Sequence, residues 1–271
     1  MLLSVEHKTT YTYAERQNFT SQLLKLTPRD DRQQRILDWT VKTDIGSIGV
    51  PVNDGFGNPS SILTVVKAHN QVTVTVTGQV ETTDNAGLVQ GTYEPLHPRV
   101  FLRETELTES DANIAALADD LTVRPTIESL HRLSARVREV VDYIEGETDA
   151  KTTAIDALNS GKGVCQDHAH LFISACRTVG VPARYVSGYM WITAETDEPY
   201  EANHAWAEAY NPDLGWIGFD VANQVSPTDA YLRMATGLDY LNAAPVRGIR
   251  RGEGAESLDV NVLVRQIGGQ Q

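Results

Sequence analysis

An α+β fold is predicted for this chain, with an antiparallel β-sandwich first and helices packed on an antiparallel sheet after it. Alternating apolar and polar residues run through residues 1–85, helical spacing takes over between 110 and 179, and strand-forming segments return from Arg184 onward. The expected division is a sandwich domain over 1–85, a connector over 86–106 and a second domain over 107–271. With 271 residues and 41% hydrophobic content, the chain can bury a sizeable core without staples.

The sandwich rests on segments such as Val72–Thr77, which alternates cleanly, and Thr9–Tyr13, which is rich in strand formers. Asp54-Gly55-Phe56-Gly57-Asn58-Pro59 supplies the turn chemistry between strands. A short amphipathic helix is expected over Ser110–Leu121. A longer one follows, in which Ile127, Leu130, Leu133, Val137, Val140 and Ile144 recur every three to four residues, with Thr126 as cap and Gly146 beyond the end. The third helix runs from Cys165 to Val179 and is stopped by Gly180 and Pro182. Ala169, Leu171, Phe172, Ala175, Cys176 and Val179 cover much of its circumference, which predicts a buried helix. Strands are then expected over 184–190, 204–210, 215–220 and 258–264.

A formal net charge of −13 argues against a general nucleic-acid or anionic-membrane binder, and Arg247, Arg250 and Arg251 read as a solvated surface. The first residues lack the basic start and apolar run of a signal peptide, and no apolar stretch is long enough to span a bilayer. A soluble, cytoplasmic protein is the expectation, with its oligomeric state left open. The two cysteines, Cys165 and Cys176, lie on one predicted helix, eleven residues apart. At the helical rise that is about 16 Å, beyond the roughly 7 Å a disulfide tolerates. Cys165 is therefore read as a free thiol and Cys176 as a small buried hydrophobe.

Cys165, His204 and Asp220 carry the chemistry. Cys165 sits where the Gly-punctuated turn Gly161-Lys162-Gly163-Val164 enters a helix, a position where the helix dipole favours a thiolate. The turn Asn211-Pro212-Asp213-Leu214 separates two strand segments. A hairpin centred near Pro212 sets His204 directly opposite Asp220, so the carboxylate orients the imidazole. A slip of one residue would instead put them on opposite faces. Together the three residues suit a cysteine nucleophile, its base and an orienter. The backbone N–H of Cys165 is the first candidate oxyanion donor. Gln166, Tyr189, Trp191, Trp206 and Tyr240 are candidate substrate-cleft residues. Cys165 and His168 are spaced to share a helix face, but a metal there would consume the thiolate and no second ligand pair appears, so no metal site is predicted.

These motifs resemble the transglutaminase-like superfamily, in particular its bacterial branch of inferred cysteine peptidases. The likeness is strongest in the run from Gly161 through Cys165-Gln166-Asp167-His168-Ala169-His170 to Leu171, in Gly180–Tyr189, in Asn203-His204-Ala205-Trp206 and in Gly215–Asp220. The first part also looks like this branch's β-sandwich domain, through His7, Tyr11, Tyr13, Leu26-Thr27-Pro28-Arg29, Asp54–Asn58 and His69. The resemblance implies a papain-like α+β core, the triad Cys165, His204 and Asp220, and no cofactor. It departs in two places. The family often continues Asp-Pro-Thr-Asn, which here is Asp220-Val221-Ala222-Asn223, and a Gly-Arg-Asp-Tyr pattern appears as Gly237-Leu238-Asp239-Tyr240. Many transglutaminases use an upstream Trp as oxyanion donor; this chain has none between Trp39 and Trp191, which turns attention to Tyr143 or a backbone group.

The function expected from these features is a cysteine hydrolase that cleaves a peptide, isopeptide or side-chain amide through a thioester, with a peptide or protein as substrate. Transfer of the acyl group to an amine and a non-catalytic binding module are the alternatives. Bacterial relatives are often associated with peptide-ligase-type ATP-grasp proteins, which by analogy points toward peptide processing.

Overall fold

The computed structural model describes residues 1–192 and 202–268. The chain opens with β1 (Leu2–Gln17), β2 (Phe19–Leu24), β3 (Gln34–Thr43), β4 (Ser47–Ile48), β5 (Val52–Asn53), β6 (Pro59–Val65) and β7 (His69–Thr82). β1, β7 and β3 lie side by side in one antiparallel sheet, and β2, β6 and β4 in another, with β5 beside β6. Between the sheets Tyr13, Leu24, Leu63, Val65, Val72, Val74 and Val76 form a buried core. The alternation of Val72, Val74 and Val76 with threonines turns the valines to the core and the threonines to the other face of the sheet, where only Thr77 is exposed.

Within the expected connector, β8 (Leu88–Val89) pairs with the sheet of the second domain. Then follow α1 (Ala112–Leu117), capped by Asp111 on the Ile114 N–H, and α2 (Ile127–Val140), capped by Thr126 on the Ser129 N–H. α2 ends one turn short of the expected end. Asp142 and Tyr143 form β9 (Asp142–Tyr143), in parallel with β10 (Lys162–Gly163), and this pairing takes the backbone groups that a further helical turn would use. Ile144 therefore lies outside α2. Between these strands runs α3 (Ala154–Ser160), which the hydrophobic spacing did not announce.

α4 (Cys165–Thr178) starts and stops within a residue of expectation. Asp167 anchors its start by reaching back to accept the Val164 N–H at 2.8 Å, half of a capping box. Gly163 is required here, because a Cβ on it would come within 2.7 Å of the Asp167 Cβ. Every residue from Asp167 to Arg177 is buried. The helix lies on β11 (Ala183–Met190), β12 (Asn203–Asn211) and β13 (Gly215–Phe219), where Ala205, Ala207 and Ala209 offer small side chains that let it approach closely. β14 (Tyr231–Gly237) completes the sheet in the order β14-β11-β12-β13-β8, and the short α5 (Tyr240–Ala243) follows it.

The last strands return to the sandwich. β15 (Val246–Arg251) pairs with β2, and β16 (Glu256–Gln266) pairs with β1 over eleven register positions. Residues 246–266, counted with the second domain in the sequence division, thus complete both sheets of the first. Alternation predicts a strand at 258–264 but carries no information on which edge it will join. Among the described residues no helix is long and apolar enough to cross a membrane.

On the sheet face opposite α4, Glu208 is fully buried between two arginines. Its Oε2 accepts from Arg184 Nε at 2.6 Å and its Oε1 from Arg233 Nε at 2.8 Å, while Glu94 closes on Arg184 from the connector. Burial pushes the Glu208 carboxyl up, but the two guanidinium charges outweigh it and hold it below the usual carboxylate range. Glu208→Ala strands both buried arginines, and a loss of about 3–5 kcal/mol in unfolding free energy by urea titration is expected.

At the domain boundary, His7 Nδ1 meets Tyr189 Oη at 2.6 Å and its Nε2 meets Thr9 Oγ1 at 2.7 Å. Burial lowers the His7 pKa to about 4. Its unfolded value of about 6.5 is higher, so the unfolded chain binds the extra proton, and stability present above pH 6.5 is lost as pH falls toward 4. Denaturant midpoints at pH 7 and 4.5 are expected to separate less in His7→Gln than in the unaltered chain.

Candidate active site

His204 and Asp220 meet, but not in the register expected. β12 and β13 pair as Ala207 with Phe219 and Asn211 with Gly215, which centres the hairpin on Asp213 rather than Pro212. Asn211 shapes the turn, its Oδ1 accepting from the N–H groups of Asp213 and Leu214. His204 and Asp220 are therefore diagonal neighbours instead of directly opposed. A two-residue difference preserves the face, and a His side chain spans the diagonal. His204 Nε2 lies 2.7 Å from Asp220 Oδ2.

That contact leaves Nδ1 of the ring for the thiol of Cys165, which reaches His204 from the first residue of α4. Burial disfavours the imidazolium, but hydrogen bonds to Asp220 and Cys165 and their negative charges outweigh it, raising the His204 pKa to about 10. The ring thus holds its proton across the neutral range. Asp220 is fully buried, and burial pushes its carboxyl up; hydrogen bonds from His204, Tyr231 and Asn223 outweigh this and hold it below the usual range. Tyr231 Oη donates to Asp220 Oδ2 at 2.7 Å and Asn223 Nδ2 donates to it at 2.8 Å.

Tyr231 and Asn223 were absent from the sequence expectation. With Asp220, Asn223 is one of the two members of the Asp-Pro-Thr-Asn pattern that this chain keeps, and its spacing from Asp220 is a signal. Tyr231 had none, since β14 reaches Asp220 only through the sheet.

The cleft candidates divide. Trp206 is buried, with its ring stacked on His204 at 6.4 Å between centroids and edge-on to Tyr231 at 5.5 Å. It supports the imidazole from within and offers no wall to a substrate. Gly188, paired with His204, makes room for it, because a Cβ there would lie 2.5 Å from the Trp206 ring. Tyr189 is likewise buried, held by His7 at the domain boundary. Trp191 packs in the same interdomain cluster. Tyr240 is half-buried: its N–H donates to His170 Nε2 and its ring sits edge-on to Tyr185. Gln166 and Tyr143 are the accessible ones. Gln166 Nε2 reaches the Asp149 carbonyl, and Tyr143, 40% exposed on β9, stands beside Gly163 two residues before Cys165.

His168 is not placed as a metal ligand, since both ring nitrogens face backbone carbonyls. Cys176 is free and buried, and burial pushes its thiol well up.

Comparison with known proteins bears on both domains. The family model for the transglutaminase-like superfamily matches residues 115–221, and that for the bacterial transglutaminase-like N-terminal region matches residues 3–81. An uncharacterized protein from Mycobacterium leprae is 30% identical over 279 residues, covering 98% of this chain and 99% of its own. A protein-glutamine gamma-glutamyltransferase from Pseudomonas aeruginosa is 31% identical over 175 residues, which is 58% of this chain and 24% of that one. The structure of a candidate cysteine protease from Cytophaga hutchinsonii superposes with a TM-score of 0.78 at 24% identity, covering 100% of this chain and 92% of that one, and so shares the fold. With both domains matched in order and the fold shared end to end, this chain belongs to the transglutaminase-like superfamily and carries the bacterial transglutaminase-like N-terminal region.

Proposed function

We propose that this protein is a cysteine-nucleophile hydrolase of a peptide, isopeptide or side-chain amide. The observation that carries this reading is the placement of the His204 ring between the Cys165 thiol and the Asp220 carboxylate, with Nε2 to Oδ2 at 2.7 Å. In the first half-reaction the Cys165 sulfur attacks the amide carbonyl carbon. The oxyanion forms beside the start of α4, where the N–H of Cys165 has no partner within the helix and is the natural donor. The C–N bond breaks as His204 gives its proton to the departing amine, leaving a thioester on Cys165. Water then loses a proton to His204 and attacks the thioester; the C–S bond breaks and a carboxylate leaves. Asp220 keeps the ring oriented and its charge balanced throughout, and Tyr231 and Asn223 fix the carboxylate.

Transfer of the same acyl group to an amine is the second reading, favoured by the similarity to a protein-glutamine gamma-glutamyltransferase. The two share every step up to the thioester. A screen of glutamine-containing and isopeptide-linked peptides is expected to find turnover that Cys165→Ala abolishes while its fold, by circular dichroism, is kept. Release of a carboxylate with added primary amine present supports hydrolysis, and an amide of that amine supports transfer. Binding of the peptides undiminished by Cys165→Ala, with no turnover in either protein, sinks both in favour of a binding module.

Leaving-group protonation depends on the imidazolium, whose pKa is raised to about 10. Turnover is therefore expected to decline on the alkaline side only as pH passes about 10. In Cys165→Ala the sulfur's hydrogen bond and charge are gone, and the His204 midpoint in an NMR titration is expected to move down toward the ordinary value of about 6.5.

A further inference from the structure

We propose that His168 is a positioning residue that secures the start of α4 as an imidazolium, donating one N–H to the Val164 carbonyl and the other to the Val141 carbonyl. The ring is fully buried. Its Nδ1 lies 2.8 Å from Val164 O and its Nε2 lies 2.9 Å from Val141 O. Carbonyl oxygens only accept, and a neutral imidazole has one donor nitrogen and one acceptor. A neutral ring would set a nitrogen lone pair against an oxygen lone pair at one of these distances. Turning the ring by half a revolution puts carbons in both places and loses both contacts. Only the doubly protonated ring satisfies the pair.

The groups around the ring carry charges of both signs. Asp167, next on α4, is 1% exposed; its Oδ2 is engaged by Val164 N–H and Thr148 Oγ1, while its Oδ1 has no partner among the described residues. Burial pushes the Asp167 carboxyl up, and the His168 charge is among the influences that oppose it. From β9, Tyr143 stacks on the imidazole at 6.1 Å and Asp142 stands beside Arg138 at 3.9 Å. Arg138 of α2 also donates to Val141 O, at 3.1 Å. From α4 itself Cys165 shares the helix face, one turn toward the N-terminus.

One side chain therefore ties the residue before the nucleophile to the residue before β9. Its charge is also carried by the residue one helical turn from Cys165, and a cation on that helix face favours a thiolate there. This second effect rests on the proposed role of Cys165; the protonation of His168 does not.

The first test is a ¹⁵N NMR spectrum of imidazole-labelled protein at pH 7.5. Both His168 nitrogens are expected to carry a proton; one nitrogen resonating as an unprotonated acceptor overturns the proposal. The second test is His168→Phe, which keeps a ring against Tyr143 and removes both donors and the charge. Iodoacetamide modification of Cys165 at pH 7 is expected to slow about tenfold, the order of effect of losing one neighbouring opposite charge. Buried Cys176 reports on folding, because it reacts only if the variant opens. An unchanged Cys165 rate in a folded variant overturns the positioning role, and a variant that does not fold leaves the spectrum of the unaltered protein to decide. His204→Ala separates the two claims: if it leaves Cys165 alkylation unchanged the triad fails, whatever the state of His168.

Discussion

Burial of α4 from Asp167 to Arg177 is the constraint on which the rest of this structure depends. A helix enclosed on all sides is expected to be apolar all round, yet this one carries Asp167, His168, His170, Ser174 and Arg177. Each of these is costly to bury unless it finds partners. They find them mostly on the backbones of neighbouring elements. Arg177 alone donates to the carbonyls of Phe101, Ala183 and Leu238 and to Thr108 Oγ1. His170 accepts from Tyr240 N–H, and Ser174 donates to Glu109 O. The helix therefore acts as a hub whose polar groups satisfy irregular backbone around it. The outcome is that Cys165, at its first residue, has its position set by contacts along the whole helix.

β12 carries two buried charge systems. Glu208 with its arginines lies four residues along β12 from His204, and Trp206 stands between them. The Glu208 system is structural, because its carboxylate is saturated by guanidinium donors and takes no part in proton movement. In the His204 system the imidazole stands between two partners, of which one, Cys165, is half-buried rather than enclosed. The same strand thus separates a charge pair that cannot titrate near neutrality from one whose proton has somewhere to go.

Legibility in the sequence followed how local the cause was. α4 was readable at both ends because Gly163, Asp167, Gly180 and Pro182 act within a turn of where they stand. The His204–Asp220 contact was readable as a face but not as a register, because parity is set by alternation whereas centring is set by how Asn211 folds the turn. The end of α2 was misplaced because its competitor, the strand pairing with Lys162–Gly163, lies some twenty residues away. Tyr189 and Trp206 are aromatic residues within the family motifs, but their burial is decided by His7 and Tyr231, which arrive from distant strands. For the same reason nothing in the tail announced that it would return to the sandwich.

That return changes what the sandwich is for. β16 lies beside β1, and Val262 and Val264 pack with Leu3 and Val5 of β1 against Tyr189, Leu232 and Met234 of the second domain. Tyr189 adjoins Gly188, the pairing partner of His204, and Leu232 adjoins Tyr231, which holds Asp220. The apolar surface that joins the domains is therefore one residue removed from two of the groups that orient the imidazole. Because strands alternate faces, Leu232 and Tyr231 point to opposite sides of β14, so packing by the sandwich on one side sets the height of the tyrosine on the other. The chain crosses from the second domain back to the first after α5, and that crossing closes the sheet supporting this packing. The N-terminal region and the tail are in this sense joined to the His204–Asp220 geometry by buried side chains rather than by a flexible connection.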